Sequence, residues 1–173
     1  MSWPEHVTIT DVALRDGLQI QPNIVPTESK LAIYRALISA GVRSLELGSF
    51  VHPKLVPQMA DAQALFESVQ PDPEIQLIAL VPNLRGANRA LAAGVTDVRI
   101  VLSCTEGHSQ ANTNRSVQEG VAEAKAVVDL LRSESDARIV GALATAFVCP
   151  FDGIVPAEQV TRMVGALADM GLT

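Results

Sequence analysis

Three stretches of this chain end alike: Ser39-Ala40-Gly41-Val42, Ala92-Ala93-Gly94-Val95 and Asp169-Met170-Gly171-Leu172. Each reads as the close of a helix, because a glycine just past the last turn takes the left-handed conformation at little cost. In the first two cases a short apolar, β-branched run follows. Strands are expected at Val7–Val12, Arg43–Leu47, Ile75–Val81, Val98–Ser103 and Arg138–Thr145. Helices are expected at Thr27–Ala40, Pro57–Val69, Leu84–Ala93, Val117–Arg132 and Pro156–Met170. Their starts carry helix-opening chemistry: Thr27 as a cap, Pro57 and Pro156 in first turns, and Ser116-Val117-Gln118-Glu119 as a capping box. Strand-then-helix units in succession require a parallel sheet with right-handed crossovers.

The fold class is therefore α/β, built from parallel (β/α) units. Nothing in the chain reads as a linker, a low-complexity tract or a charge block, so residues 1–173 form a single domain. Gly171-Leu172-Thr173 reads as the opening of a sixth strand. A TIM barrel has eight units and usually ~250 residues. About five of eight units are expected here, an incomplete (β/α)8 domain truncated before strand six. The competing architecture is a complete open five-stranded sheet of the flavodoxin type, which sits poorly with a chain ending at a strand opening.

Composition narrows the function classes. With 173 residues, 48% of them hydrophobic and 18% charged, the chain has material for a core of its own. A net charge of −6 argues against nucleic acid or an acidic membrane as partner, since both select a basic surface. No apolar run approaches the ~18 residues of a membrane span. The two cysteines, Cys104 and Cys149, form no disulfide framework, and no leader-like segment precedes Val7. A cytoplasmic location is expected. No Gly-x-Gly-x-x-Gly or Walker loop follows any strand, which disfavours nicotinamide and nucleoside-triphosphate chemistry.

In a parallel β/α fold the site lies at the carboxyl ends of the strands. Those ends carry Arg15, Asp16 and Gln19, then Glu46, Ser49, Phe50, His52 and Lys54. Pro82, Asn83 and Arg85 follow, then Glu106, His108 and Asn112, and finally Thr145, Cys149 and Pro150. The hexapeptide Leu14-Arg15-Asp16-Gly17-Leu18-Gln19 is the most informative. It sets a permanent cation beside a carboxylate where a strand ends, with a glycine for the turn. Such a pair suits a divalent metal and a developing negative charge, although a surface Arg-Asp turn has the same spacing. Strand alternation points Glu46 and Gly48 to the interior and Leu45 and Leu47 to the helices. An inward carboxylate needs a partner, and Arg15 is the nearest candidate. Whether Glu46 only orients Arg15 or takes part in catalysis stays open. His52 and His108 lack metal-chelating spacing and read as solvated loop residues. Cys149, with no adjacent base, reads as a small buried residue.

The segment Asp11-Val12-Ala13-Leu14-Arg15-Asp16-Gly17-Leu18-Gln19 resembles the signature of the metal-dependent lyase and synthase barrels that include 3-hydroxy-3-methylglutaryl-CoA lyase. Synthases of that group typically carry Glu where this chain has Leu18, which points to the lyase branch. The stretches Glu46–Met59, Val81–Gly86, Ser103–Asn112 and Cys149–Gly153 agree in family order. The resemblance implies cleavage of a 3-hydroxy-3-methylglutaryl-CoA-like thioester to acetyl-CoA and acetoacetate, a step of leucine catabolism. It implies an acyl-CoA substrate and Mg²⁺ or Mn²⁺ as cofactor, with Asp16 as a metal ligand. Arg15 would stabilise the enolate, and Gln19 and Glu46 would position it or the substrate. Ser49, Asn83, Asn112 and Thr145 would be substrate-binding positions at the rim.

The family's other metal ligands, a His-x-His pair and a later asparagine, would lie beyond Thr173. One carboxylate leaves almost all of the coordination shell to water. The chain alone is thus expected to be inactive, and open sheet edges would favour self-association. Two alternatives are a non-catalytic acyl-CoA-binding half-barrel and a lyase for another 3-hydroxyacyl-CoA.

Overall fold

The computed structural model describes residues 3–172. Four parallel strands form the main sheet: β1 (Ser44–Ser49), β2 (Gln76–Leu80), β3 (Asp97–Ser103) and β4 (Arg138–Ala144). They lie side by side in chain order. That order is informative, because strands that always step the same way through right-handed crossovers keep their helices on one face. A doubly wound open sheet steps both ways and carries helices on both.

Helices α1 (Thr27–Ser39), α2 (Ala62–Ser68), α3 (Leu84–Ala92), α4 (Glu106–Thr113), α5 (Val117–Glu134) and α6 (Ala157–Asp169) complete the units. In β3 the alternation is clean: Val98, Ile100 and Leu102 are buried, whereas Asp97, Arg99, Val101 and Ser103 are not. The buried set joins Leu45, Leu65 and Phe66, Ala87 and Ala90, and Val127, Val128 and Leu131 in one core between sheet and helices. The opposite face carries the polar side chains that matter below.

Several expectations change. Of the strand predicted at Val7–Val12, only Asp11 pairs, as an isolated bridge to Leu45. Val7 and Ile9 are 75% and 80% exposed, so they lack the ladder that would fix them. The Asp11 carboxylate then accepts the Ala13 N–H at 2.9 Å and turns the chain into a π-helical turn, Ala13–Gly17. Gly17 has no left-handed φ there and has room for a Cβ, so that turn does not depend on glycine. Thr27 is not a cap: its hydroxyl donates to Asp61 at 2.7 Å instead. The helix predicted at Pro57–Val69 divides into a 3-10 turn, Pro57–Met59, and α2. The capping box at Ser116 and Glu119 forms as read, and Gly41, Gly94 and Gly171 all take positive φ. The predicted opening of a sixth strand includes Thr173, which lies outside the described residues.

Two elements have no counterpart in the sequence reading. Helix α4 occupies the stretch expected to be loop, so His108 and Asn112 are helical. After β4 a small antiparallel hairpin forms from β5 (Val148–Cys149) and β6 (Gly153–Ile154). A register irregularity between Glu46 and Gly48 corrects a third point. Beyond it Gly48 pairs with Ala79 and faces α2, where a Cβ would meet Ala62 at 3.3 Å. Glu46 keeps the opposite face, and Gly48 does not share it.

Candidate active site

Arg15 stands on the π-helical turn where the chain leaves its bridge to β1. Its Nε donates to Glu46 Oε2 at 2.5 Å, and a terminal nitrogen donates to Asp16 Oδ1 at 2.6 Å. The second oxygen of Glu46 accepts from Arg99. Glu46 is fully buried, whereas the Arg15 and Arg99 side chains are 16% and 25% exposed. The strand register explains the meeting. Glu46 is opposite Ile78 and Leu80 is opposite Arg99, so Arg99 reaches across β2 to the carboxylate.

The expected Arg15–Glu46 pair is therefore present, with a third partner the sequence reading missed. The signal for Arg99 was there: Asp97 and Arg99 alternate with Val98, Ile100 and Leu102. Two cations and two anions sum to neutrality, and both oxygens of the buried carboxylate are occupied. A buried charge that is paired and hydrogen-bonded in this way is held firmly. Arg15 is consequently a fixed cation that keeps some solvent access. Gln19 lies four residues on, in the same helical segment and half-buried, so it shares the face of Arg15.

The other predicted positions are dispersed. Ser49 closes β1 and is buried, with its hydroxyl accepting the Val51 N–H at 3.3 Å. Asn83 caps α3, its side-chain oxygen accepting from Gly86 N at 2.9 Å. Asn112 is exposed on α4. Thr145 follows the last residue of β4 with φ 60°, and its hydroxyl oxygen is buried without a partner. His52 accepts the Lys54 N–H within its own exposed turn. His108, expected to be solvated, instead shares a 2.8 Å hydrogen bond between its Nδ1 and the Ser103 hydroxyl.

A second polar knot ties the hairpin to α4. Thr105 donates to Cys149 Sγ at 3.0 Å, and Asp152 accepts the Gly107 N–H at 2.8 Å. A Cβ on Gly107 would come within 2.6 Å of the Asp152 carboxylate and 2.8 Å of Phe151 Cβ, so this docking needs glycine. Burial pushes the Cys149 thiol up, but hydrogen bonds from the Thr105 hydroxyl and the Phe151 and Asp152 amides outweigh it and leave it below the ordinary cysteine value. The Thr105 hydroxyl, with the Gly107 and His108 amides, holds the Asp152 carboxyl below the usual aspartate range despite partial desolvation. Cys104 shifts the other way, raised by burial alone.

Asp16 offers one exposed carboxylate, already bonded to Arg15. Among the described residues, no three His, Cys, Asp or Glu side chains gather where they could hold a metal ion. The residues present thus do not fit a divalent centre by themselves. A cleft of about 850 Å³ is at the opposite end of the sheet, lined by Arg43, Ile75, Gly94, Thr96 and Arg138. Parallel β/α folds do not place their chemistry there. Among the described residues no helix is long and apolar enough to cross a membrane.

Known proteins are similar to this chain in sequence and in fold. A model of the HMGL-like family matches residues 6–173. The hydroxymethylglutaryl-CoA lyase YngG of Bacillus subtilis is 36% identical over 174 residues, which is 100% of this chain and 58% of that protein. The (R)-citramalyl-CoA lyase of Chloroflexus aurantiacus is 38% identical over 96% of the chain and 56% of its own length. Among solved structures, the HMG-CoA lyase of Bacillus subtilis superposes with a TM-score of 0.94 at 35% identity, covering 99% of this chain and 57% of that one. The chain thus spans little more than half the length of these relatives.

Proposed function

Because the chain belongs to the HMGL-like family, we propose that it supplies the Arg15–Asp16–Glu46 corner of a carbon–carbon lyase acting on a 3-hydroxy-3-methylglutaryl-CoA-like thioester. The observation that carries this reading is the doubly held carboxylate. Glu46, bonded to Arg15 and Arg99 at once, leaves neither oxygen free to act as a base. These two contacts support a positioning role for Glu46, that of anchoring Arg15.

Cleavage breaks the bond between C2 and C3 of the acyl chain. The C3 hydroxyl loses its proton and becomes the ketone of acetoacetate, while the bonding electrons pass to C2 and form the enolate of acetyl-CoA. Protonation of C2 completes the products. A fixed guanidinium at the strand ends is suited to the enolate oxygen, because its charge is oriented before the reaction begins. Gln19 serves the same corner, and Ser49, Asn83, Asn112 and Thr145 are the acyl-CoA-facing positions of the rim. The resemblance assigns Mg²⁺ or Mn²⁺ to Asp16, whose single paired carboxylate does not hold such an ion alone. No step is therefore assigned to a metal.

In this reading the described sheet is part of a (β/α)8 barrel, residues 1–173 belong to one such domain, and the protein acts in the cytoplasm. β4 has a neighbour on one side only among the described residues, which supports self-association through that edge. The similarity to a citramalyl-CoA lyase favours a second reading, the same bond cleavage on an acyl-CoA with a different C3 substituent.

A chimera tests the proposal: residues 1–173 joined in register to the remaining part of the Bacillus relative. The expected result is acetoacetate release from hydroxymethylglutaryl-CoA by the chimera and none by the 173-residue chain. Arg15→Gln in the chimera should lower kcat by roughly 100-fold or more with KM little changed, as for a group acting on the transition state. A chimera that melts cooperatively yet releases nothing would overturn the proposal.

A further inference from the structure

Arg99 has more donors than the protein uses. A guanidinium carries several N–H groups in a planar fork. Arg99 gives its Nη1 to Glu46 and, among the described residues, meets no other acceptor. Arg15 is better matched, giving its Nε to Glu46 and one terminal nitrogen to Asp16. Asp97, two residues back on the same face of β3, is taken up by Gln76 and Arg138. The edge of Arg99 formed by Nε and Nη2 is therefore whole and unused. It is also reachable. The side chain is 25% exposed, and among the described residues the buried side-chain atom without a partner is the Thr145 hydroxyl, not a guanidinium nitrogen.

Charge points the same way. Glu46 is fully buried and the Arg15 and Arg99 side chains are largely enclosed, so one negative charge answers two positive ones. Asp16 restores the formal balance, but its side chain is 59% exposed and bonded to Arg15 alone. Solvent and salt screen that carboxylate more than the enclosed guanidiniums. Such a spot favours an anion, and a planar edge favours a carboxylate, gripped through two parallel hydrogen bonds. The spacing suits a short acyl chain. Two guanidiniums sharing one carboxylate have central carbons roughly 5–8 Å apart. A glutaryl chain spans about 5 Å from C1 to C5, given C–C bonds of about 1.5 Å.

We propose that Arg99 is a substrate-binding residue, its Nε–Nη2 edge taking the free carboxylate of the acyl group while Arg15 faces the thioester carbonyl. The ligand's identity rests on the lyase reading. What is added is the residue that selects an acyl chain ending in a carboxylate over one that does not. With C1 and C5 held by two cations of fixed separation, the C2–C3 bond to be broken lies between them.

Calorimetric titration of the 173-residue chain with two thioesters tests it: hydroxymethylglutaryl-CoA, which ends in a carboxylate, and acetyl-CoA, which does not. The shared CoA portion cancels in the ratio of the two affinities. The parent should favour hydroxymethylglutaryl-CoA about tenfold, as for one charge-assisted contact. Arg99→Met should bring that ratio to about one, having lost the contact altogether. Arg99→Lys, which keeps a cation for Glu46 but lacks the planar edge, should fall between them. In the parent, the Arg99 Nε–H resonance, identified by its absence from Arg99→Lys, should shift with glutarate and hold with neutral glutaramide. A parent ratio no greater than that of Arg99→Met, or a resonance that glutarate leaves in place, would overturn the proposal and leave the acyl-CoA reading intact. Failure of the parent to bind either thioester would overturn both.

Discussion

The two ends of one sheet handle polar side chains in opposite ways. At the amino ends of the strands a chain of contacts runs sideways. The Thr10 and Ser44 hydroxyls are 2.9 Å apart, Ser44 donates to Gln76 at 3.0 Å, and Gln76 donates to Asp97 at 2.7 Å. Arg138 closes the chain on Asp97 at 3.2 Å. Each successive strand contributes one residue, and each residue is matched to its neighbours. Toward the carboxyl ends, two guanidiniums converge on one buried carboxylate, and beyond them Thr145 is strained and unmatched. The first end uses polarity to pin adjacent strands. The second concentrates charge and strain where a ligand can use them, as functional sites do.

The largest test of this contrast is Glu46→Ala. It leaves two half-buried cations without their common partner and should cost about 3–5 kcal/mol in urea unfolding. At the other end, Gln76→Leu removes one link but leaves the buried Ser44 hydroxyl its Thr10 partner and Asp97 its Arg138 partner, so about 1–2 kcal/mol is expected. If Gln76→Leu proved the costlier of the two, the carboxyl-end cluster would not be the more tightly loaded, and the contrast would fail. Asp152→Asn should have the smallest effect, and it carries a pH signature. The folded Asp152 carboxyl is held below its ordinary value, so its contribution is present above the unfolded value and is lost as pH falls through the folded one. The Tm gap between parent and variant should therefore be constant from neutral pH to the upper carboxylate range and close in stronger acid. A gap independent of pH would show that Asp152 docks the hairpin by shape alone.

Much of the site was legible. Arg15 and Glu46 could be paired in advance, because an inward carboxylate on a strand needs a cation and the adjacent strand end offers one. The capping box at Ser116 and the glycine-closed helices were equally readable, being matters of local backbone geometry. Helix α4 was not: Glu106-Gly107-His108-Ser109-Gln110-Ala111-Asn112-Thr113 has no apolar period. It is held instead by the Thr105 cap and by Asp152, forty-five residues from Gly107 in sequence. Lys30 makes the same point. A lysine in an amphipathic helix reads as solvated, yet it is 1% exposed, donating to Gln58 O and Asp61.

The sequence by itself determined the α/β alternation, the parallel sheet, the carboxyl-end location of the polar residues and the resemblance to the lyase family. Periodicity, caps and turn glycines act over a few residues and are written in the order of the chain. Tertiary structure alone decided that Arg99 shares Glu46 with Arg15, that the β1 irregularity turns Gly48 to the helices, and that the hydroxyl oxygen of the half-buried Thr145 has nothing to bond. These depend on which strands become neighbours and in what register, because a charge finds its partner through space and a single-residue shift in pairing changes the face a side chain occupies.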